Sequence, residues 1–198
     1  MHIFLNGSVK NSLIEGYRSR AAYKLDEINK KFKFLKNGIS IIDLGAAPGS
    51  WSQFILKNFK NVKIASIDLN DFEKIEYCKK LIGDFTDKNF QSKLKEYFQK
   101  KIDLVVSDMA VNTTGNKNLD SIQTGELCLE ALNFSGDMLK KNGVFVSKIF
   151  MGSSFNEIVQ NSKKCLKIQI FTNHLQAEKS QRKVSLFVNF YDRSSLFF

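Results

Sequence analysis

Four short apolar runs, separated by segments of helical character, constrain this chain most strongly. The runs cover 39–45, 62–69, 102–109 and 143–150. A nearly continuous apolar run of this length is typical of a strand that is buried on both faces. The segments between the runs, such as SWSQFILKNF and DKNFQSKLKEYFQKK, fit helices. This alternation of strands and helices predicts an α/β fold, in which a parallel sheet carries helices on both faces.

The rest of the chain extends the same pattern. We expect a short strand within 78–85, helices near 121–141 and 153–165, and strands at 166–173 and 183–190. An amphipathic helix near 18–32 precedes the sheet, because its apolar positions form one stripe. No internal repeat or interdomain linker interrupts the sequence. We therefore expect one domain over 1–198, with an N-terminal helical extension over about 1–36 and a core over about 37–192.

Acidic residues lie at or directly after the ends of four predicted strands. They are Asp43, Asp68, Asp84 and Asp108. Ligands of an open parallel sheet bind outside the carboxyl ends of its strands, where these acids should lie. A single acid in such a place is more often a helix cap, but four at successive strand ends are hard to explain as caps alone. Asp68 also has the position that typically receives a ribose hydroxyl pair.

The turn after the first strand reads GAAPGSW, and it leads into a helix. Gly45 and Gly49 predict a tight turn and a close approach of a ligand to the backbone. The G-x-x-x-G spacing differs from the G-x-G-x-x-G fingerprint of dinucleotide-binding proteins. A cationic ligand that carries adenosine suits the acids, so the sequence favours S-adenosylmethionine over a pyrophosphate, which would need arginines.

One lysine, Lys148, interrupts the apolar strand GVFVSKIF. A buried ammonium is costly unless it is paired or gives up its proton. The simpler alternative is a lysine whose stem lies along the core while its head reaches water. Lys148 is predicted to lie on the same sheet edge as Asp108, and Lys24, at the border of the apolar stripe of the first helix, could approach the same place.

The chain is basic, with 30 Lys and Arg against 20 Asp and Glu, a net charge of +10. This excess favours a polyanionic partner such as nucleic acid, although a general bias toward lysine in the source proteome would also produce it. The three cysteines are widely spaced, which indicates neither a disulfide framework nor a zinc site and suits a reducing compartment. We expect no membrane span and no secretory signal, whereas a transit peptide stays open.

Several motifs together resemble the FtsJ/RrmJ family of S-adenosylmethionine-dependent RNA 2′-O-methyltransferases. The motifs are YRSRAAYKLDEI, DLGAAPGSWSQ, GDF, SDMAVNTTG and SKIFMG, and the resemblance extends over nearly the whole chain from Tyr17. It implies the class I methyltransferase fold, a Rossmann-like, seven-stranded, mostly parallel sheet with helices on both faces and an antiparallel last strand. It also implies methylation of a uridine ribose in large-subunit rRNA, with tRNA-directed members as an alternative.

The resemblance implies roles for individual residues. Lys24, Asp108 and Lys148 match three members of a Lys-Asp-Lys-Glu catalytic tetrad. The residues that match cofactor contacts are Gly49, Trp51, Asp68, Asp84 and Asp108, and the acids and glycines above add Asp43 and Gly45. Lys148 is the candidate general base or hydroxyl-orienting group, acting in its neutral form, with Asp108 orienting it and Lys24 as a neighbouring cation.

Two positions depart from the family pattern. The fourth tetrad residue, a glutamate, is replaced by Lys183 in the strand alignment, and the nearest acid is Glu178. Val111 stands where the family usually has a proline. Both changes affect the substrate side of the predicted site more than the cofactor side.

The sequence thus predicts an RNA 2′-O-methyltransferase that uses S-adenosylmethionine and no metal. Arg18, Arg20 and exposed lysines are expected to bind RNA phosphates. We expect a cytoplasmic monomer that acts on rRNA, most simply within a large ribosomal subunit or its precursor. Two other classes stay open: a catalytically impaired RNA-binding or ribosome-assembly protein, and a dinucleotide-dependent oxidoreductase.

Overall fold

The computed structural model describes residues 16–109, 114–150, 166–172 and 183–190. Five parallel strands form the sheet in the order β3-β2-β1-β4-β5. Their bounds are β1 Ser40–Leu44, β2 Lys63–Asp68, β3 Cys78–Ile82, β4 Ile102–Ser107 and β5 Leu139–Phe150. All five residues of β1 are buried, as expected for a strand covered on both faces. Two further strands follow in the sequence, β6 Leu166–Thr172 and β7 Lys183–Phe190.

Helices cover both faces of the sheet. Their bounds are α1 Ala21–Phe32, α2 Ser50–Asn58, α3 Lys88–Phe98 and α4 Lys117–Met138. On one face α1 and α2 pack Leu25, Ile28 and Trp51 against the sheet. On the other face α3 and α4 contribute Leu94 and Phe134 to a second core. The predicted α/β layering is therefore present.

Two predicted boundaries are wrong at the junction of α4 and β5. The helix begins at Lys117 rather than 121, and it ends at Met138 rather than 141. Leu139 already pairs with Ile102, and the register then shifts before Leu104 pairs with Val144. Asn142 has a positive φ of 62°, so the chain turns tightly between the two pairings and the helix cannot continue through it.

The helix before the sheet also starts later than predicted, at Ala21 instead of residue 18. Arg18 and Ser19 are held in contacts with distant segments: the Arg18 backbone amide donates to Gln53, and Ser19 hydrogen-bonds Ser50. The helix predicted at 153–165 lies outside the described residues. In the part of the chain that the structure describes, no helix is long and apolar enough to cross a membrane.

Candidate active site

The four predicted acids lie along one edge of the sheet. Asp43 is the fourth residue of β1, Asp68 ends β2, Asp108 follows β4 directly, and Asp84 lies two residues beyond β3. Because these strands are neighbours and parallel, their carboxyl ends meet at this edge, in the order Asp84, Asp68, Asp43 and Asp108. We call it the carboxyl edge.

Asp43 is the most buried acid of the carboxyl edge, with only 1% of its surface exposed. Ser52 Oγ donates a hydrogen bond of 2.6 Å to its Oδ2, whereas Oδ1 has no hydrogen-bond partner within the described structure. Burial raises the pKa of Asp43 to about 7; the Ser52 hydrogen bond opposes this rise, and the charges of Asp108 and Asp68 add to it. Asp43 therefore titrates near neutral pH.

Asp68 and Asp84 already accept hydrogen bonds from nearby groups. Asp68 accepts from the backbone amides of Ala47 (2.9 Å) and Asn70 (2.8 Å), one at each carboxylate oxygen. Asp84 Oδ1 accepts from the backbone amide and the hydroxyl of Thr86, both at 2.8 Å. These hydrogen bonds to nearby backbone amides partly account for an acid at each of the two positions. Since a carboxylate offers about four acceptor sites, each acid keeps capacity for a ligand.

The glycine turn is as tight as the sequence predicts, but its close contacts are with protein groups. Gly45 and Gly49 have φ of 69° and 104°, where a side chain would be strained. A Cβ on Gly45 would lie 2.3 Å from Met109 Cγ, and one on Gly49 would lie 2.8 Å from an Arg18 nitrogen. The glycines thus make room for Met109 and Arg18, a reason that their spacing alone does not reveal.

Trp51 lies in the first turn of α2 and is 2% exposed. Its indole Nε1 donates to the backbone carbonyl of Ala21 at 2.8 Å, which ties α2 to α1. The side chain therefore serves packing. The predicted cofactor contact of Trp51 stays a prediction, and the part of the residue open to it is the backbone amide, since the first amides of a helix have no intrahelical partner.

The strand lysine is paired, and this argues against the simple solvent-reaching alternative. Lys148 Nζ lies 2.7 Å from Asp108 Oδ1 and 2.8 Å from the Asp108 carbonyl oxygen. The Lys148 side chain is 14% exposed and that of Asp108 is 22% exposed. The two groups are thus partly desolvated while one side stays accessible. That this pair meets a substrate group at the carboxyl edge stays a prediction.

Lys24 is half-buried on α1, one turn after the start of the helix. Its helix is fixed to α2 through the Trp51–Ala21 hydrogen bond and the Ser19–Ser50 hydroxyl contact. These contacts hold α1 against the helix that follows the glycine turn. That Lys24 joins Lys148 and Asp108 in a catalytic set stays a prediction.

The Arg18 guanidinium binds two loops of this chain. It donates to the carbonyl oxygens of Pro48 (2.8 Å), Glu73 (2.6 Å) and Lys74 (3.0 Å), and it pairs with the Glu73 carboxylate at 3.3 Å. Most of its donors are therefore engaged within the protein, so the structure favours an internal role over the predicted phosphate contact. Arg20, in contrast, is exposed at the start of α1.

The loop that Arg18 holds joins β2 to β3 without a helix. Lys80 braces the loop from the other side, pairing with Asp71 and donating to the Phe72 carbonyl. Together, this loop and the glycine turn enclose an open cleft of about 530 Å³, lined by Arg18, Ala47, Pro48, Asp71, Phe72 and Glu73. Sequence reasoning missed both braces, because arginine and lysine in a basic chain carry no signal that separates an internal clamp from a phosphate contact.

A comparison with known proteins identifies the family. The FtsJ-like methyltransferase profile matches residues 17–190. The chain belongs to this family. Among its relatives, the ribosomal RNA large subunit methyltransferase E of Pelagibacter ubique (strain HTCC1062) is 57% identical over 178 residues, 89% of this chain and 85% of that protein. The protein of the same name from Rickettsia akari (strain Hartford) is 46% identical over 163 residues, 79% of this chain and 71% of that protein.

A solved structure extends the match to three dimensions. The crystal structure assigned to a ribosomal RNA methyltransferase from Plasmodium falciparum has a TM-score of 0.77 and 34% identity, and the match covers 88% of this chain and 98% of that one. The chain therefore has the α/β methyltransferase fold with a parallel sheet. The resemblance to the FtsJ/RrmJ family that the motifs indicated is confirmed.

The positions at which this chain departs from the family pattern on the substrate side are known from the sequence alone. Val111 and Glu178 lie outside the described residues, and Lys183 is the first residue of β7. In the described part of the chain, no group of three or more His, Cys, Asp or Glu residues could hold a metal ion.

Proposed function

We propose that this FtsJ-like methyltransferase transfers a methyl group from S-adenosylmethionine to the 2′-hydroxyl of a uridine ribose in large-subunit rRNA. The observation that carries the proposal is the Lys148–Asp108 pair, 2.7 Å apart and partly desolvated at the carboxyl edge. The names of its relatives, ribosomal RNA large subunit methyltransferase E, support rRNA as the substrate.

The carboxyl edge fits S-adenosylmethionine. Asp43 has a buried carboxylate oxygen without a hydrogen-bond partner in the described structure, and Asp68 and Asp108 add negative charge around it. Such a cluster favours a cation, and the sulfonium supplies one together with an electrophilic methyl group. We assign Asp68 to the ribose hydroxyls, the backbone from Gly45 to Trp51 and the Asp43 carboxylate to the amino-acid end, and Asp84 to the base.

Lys148 orients the attacking hydroxyl and, as the neutral amine, accepts its proton while the methyl group moves from the sulfonium to the ribose oxygen. Asp108 holds the side-chain nitrogen of Lys148 through its carboxylate and its carbonyl, which fixes the nitrogen at the carboxyl edge. Most of the rate gain should come from alignment of the hydroxyl, since a positioned nucleophile avoids most of the entropic cost of encounter. Lys24, from the docked helix α1, completes the set and steers the ribose. Arg20, exposed at the start of α1, holds an RNA phosphate near the site.

The fourth catalytic position is occupied by Lys183, and we propose that Lys24, Asp108 and Lys148 suffice for activity. Strand pairing supports a position for Lys183 near the pair, because Ser185 lies opposite Lys148 in the β5–β7 register and Lys183 lies opposite Phe150. If the set suffices, Glu178→Ala keeps its activity and Lys183→Glu raises it. Loss of activity in Glu178→Ala would show instead that Glu178 replaces the family glutamate.

The same proposal covers the architecture and the setting of the enzyme. We propose one domain over 1–198 with a seven-stranded sheet and an antiparallel last strand, supported by the antiparallel registers of β7 with β5 and β6. We also propose a cytoplasmic monomer that acts on the large subunit or its precursor. The two described cysteines, Cys78 and Cys128, are free thiols, which agrees with a reducing compartment. Light scattering and a single unfolding transition would test the monomer and the domain.

Methyl transfer to ribosomal particles tests the function. Large subunits are isolated from cells that lack this activity and are incubated with the protein and S-adenosylmethionine labelled in the methyl group. We expect label at one uridine 2′-oxygen of the large-subunit rRNA, found by mapping ribose methylation. Label on tRNA alone would redirect the activity to tRNA. Cofactor binding without transfer to any RNA would favour the RNA-binding or ribosome-assembly alternative.

A further inference from the structure

A dense group of exposed lysines lies at the edge of the sheet opposite the carboxyl edge. Segment 29–37 covers the last turn of α1 and most of the loop toward β1, and segment 56–63 runs from the end of α2 to the start of β2. The first segment has four lysines, the second has three, and neither contains an acidic residue. We define the amino-edge patch as Lys31, Lys33, Lys36, Lys57, Lys60 and Lys63, all of which are exposed.

Backbone contacts join the two segments into one surface. The Lys60 amide donates to Asn37 Oδ1 at 2.9 Å, and the Gly38 amide donates to the Lys60 carbonyl at the same distance. The Lys63 amide donates to the Ile39 carbonyl at 3.0 Å. The lysines of both segments are therefore held side by side by main-chain hydrogen bonds rather than scattered over the molecule.

Local stabilisation explains some of these lysines and not others. Lys30, Lys31 and Lys57 lie in last helical turns, where cations favour the helix dipole, and Lys30 also pairs with Asp26. Lys63 is packed over the rings of Tyr97 and Phe98. Lys36 and Lys60 lie in the loops beyond the helices, where the dipole effect has faded. Gathering like charges costs free energy, so a polyanion is the partner that this surface fits.

We propose that the amino-edge patch binds phosphates of the substrate rRNA at a place remote from the methylated nucleotide. The inference rests on the proposed function and adds a second contact surface to it. β1 joins the two edges through five residues, about 17 Å at roughly 3.3 Å per residue. RNA at the patch therefore lies too far from Lys148 to take part in alignment. The enzyme contacts a large folded RNA at both the carboxyl edge and the amino-edge patch. An oligonucleotide that only fills the active site is too short to reach the amino-edge patch.

Kinetics with large ribosomal subunits tests this division of labour. The patch variant is K33E/K36E/K60E, and the matched control is K79E/K88E/K93E, which makes the same change in net charge at exposed lysines elsewhere. We expect the patch variant to raise the KM for subunits about tenfold and to lower the log–log salt slope of binding by about two, because phosphate contacts are lost. Its kcat and its affinity for S-adenosylmethionine stay those of the wild type. If the charge reversal impairs folding, K33Q/K36Q/K60Q replaces it, because glutamine removes the charge without reversing it. We expect this variant to raise the KM and lower the salt slope in the same direction by smaller amounts.

Binding and transfer are measured separately, so that two failures are distinguishable. Equal KM values and salt slopes for the patch variant and the control would overturn the second contact surface. A wild type that transfers no methyl group would overturn the proposed function. In that case, cosedimentation of the three proteins with large subunits still tests whether the amino-edge patch binds rRNA. Weaker cosedimentation of the patch variant alone supports the proposal, and equal cosedimentation of all three proteins refutes it.

Discussion

Replacement of Asp43 by asparagine should change how stability depends on pH. The folded state raises the pKa of Asp43 from 3.8 to about 7, so it binds this proton more tightly than the unfolded chain does. Wild-type stability therefore falls as the pH rises from about 4 to 7, and it levels off above that. The whole effect is about 4 kcal/mol, since each pKa unit corresponds to about 1.4 kcal/mol.

Asparagine resembles the protonated acid and cannot ionise, so Asp43→Asn lacks this pH dependence. About 2.5 kcal/mol of the wild-type loss falls between pH 5 and pH 8. We therefore expect the difference in unfolding free energy, variant minus wild type, to grow by about this amount between the two pH values. The asparagine introduces a buried amide donor without a partner, which lowers the free energy of unfolding of the variant by about 1–3 kcal/mol at both pH values. This cost cancels when the two pH values are compared.

Urea unfolding at pH 5 and pH 8 without cofactor measures both proteins. Subtraction removes the titrating groups that do not interact with Asp43, because the two chains differ at one residue. Ser52→Ala tests the direction of the effect. Loss of the Ser52 hydrogen bond to Asp43 Oδ2 should raise the Asp43 pKa further, so the unfolding free energy of this variant should fall more between pH 5 and pH 8 than that of the wild type. A difference between Asp43→Asn and wild type that is the same at both pH values would refute the reasoning.

Two further predictions concern the braces around the site. Arg18→Ala should weaken S-adenosylmethionine binding about tenfold in calorimetry, since each of the lost hydrogen bonds to the Pro48 and Glu73 loops contributes roughly 1 kcal/mol; Arg20→Ala should leave it unchanged, and equal effects would contradict the clamp. Gly45→Ala should destabilise the fold by about 2 kcal/mol or more, because its Cβ meets Met109 and its φ is positive. Shortening Met109 to alanine in the same chain should recover part of this loss, and no recovery would show that backbone strain alone is responsible.

The sheet could be predicted from the sequence because its signal is simple. Strands buried on both faces must be apolar at nearly every position, and the runs at 39–45, 62–69 and 102–109 each contain an observed strand. The acids at the strand ends could be placed for the same reason, since parallel strands bring their carboxyl ends to one edge. The end of α4 was less predictable: Lys140 and Lys141 suit a last helical turn, but Leu139 already pairs with Ile102 in the sheet, so the helix ends at Met138.

The roles of single side chains depend on tertiary contacts that a sequence does not display. Arg18 and Arg20 are two residues apart in a motif rich in arginine, yet one clamps two loops and the other is exposed. Gly45 was expected to allow close approach of a ligand, which stays a prediction, and the structure adds that its missing Cβ makes room for Met109. Asp43 and Asp68 look alike at strand ends, but only the structure shows that Ser52 and the backbone amide of Ala47 are their respective partners.

Lys148→Ala tests the account most directly, because the proposed chemistry rests on the Lys148–Asp108 pair. Methyl transfer to large ribosomal subunits and calorimetric affinity for S-adenosylmethionine are measured on the same preparations of variant and wild type. The account predicts that transfer falls by about 10³-fold or more, as expected when a positioned proton-transfer group is lost, while cofactor affinity stays within a few-fold. Near-normal turnover in the variant would contradict it and would make Lys148 a packing residue of the strand.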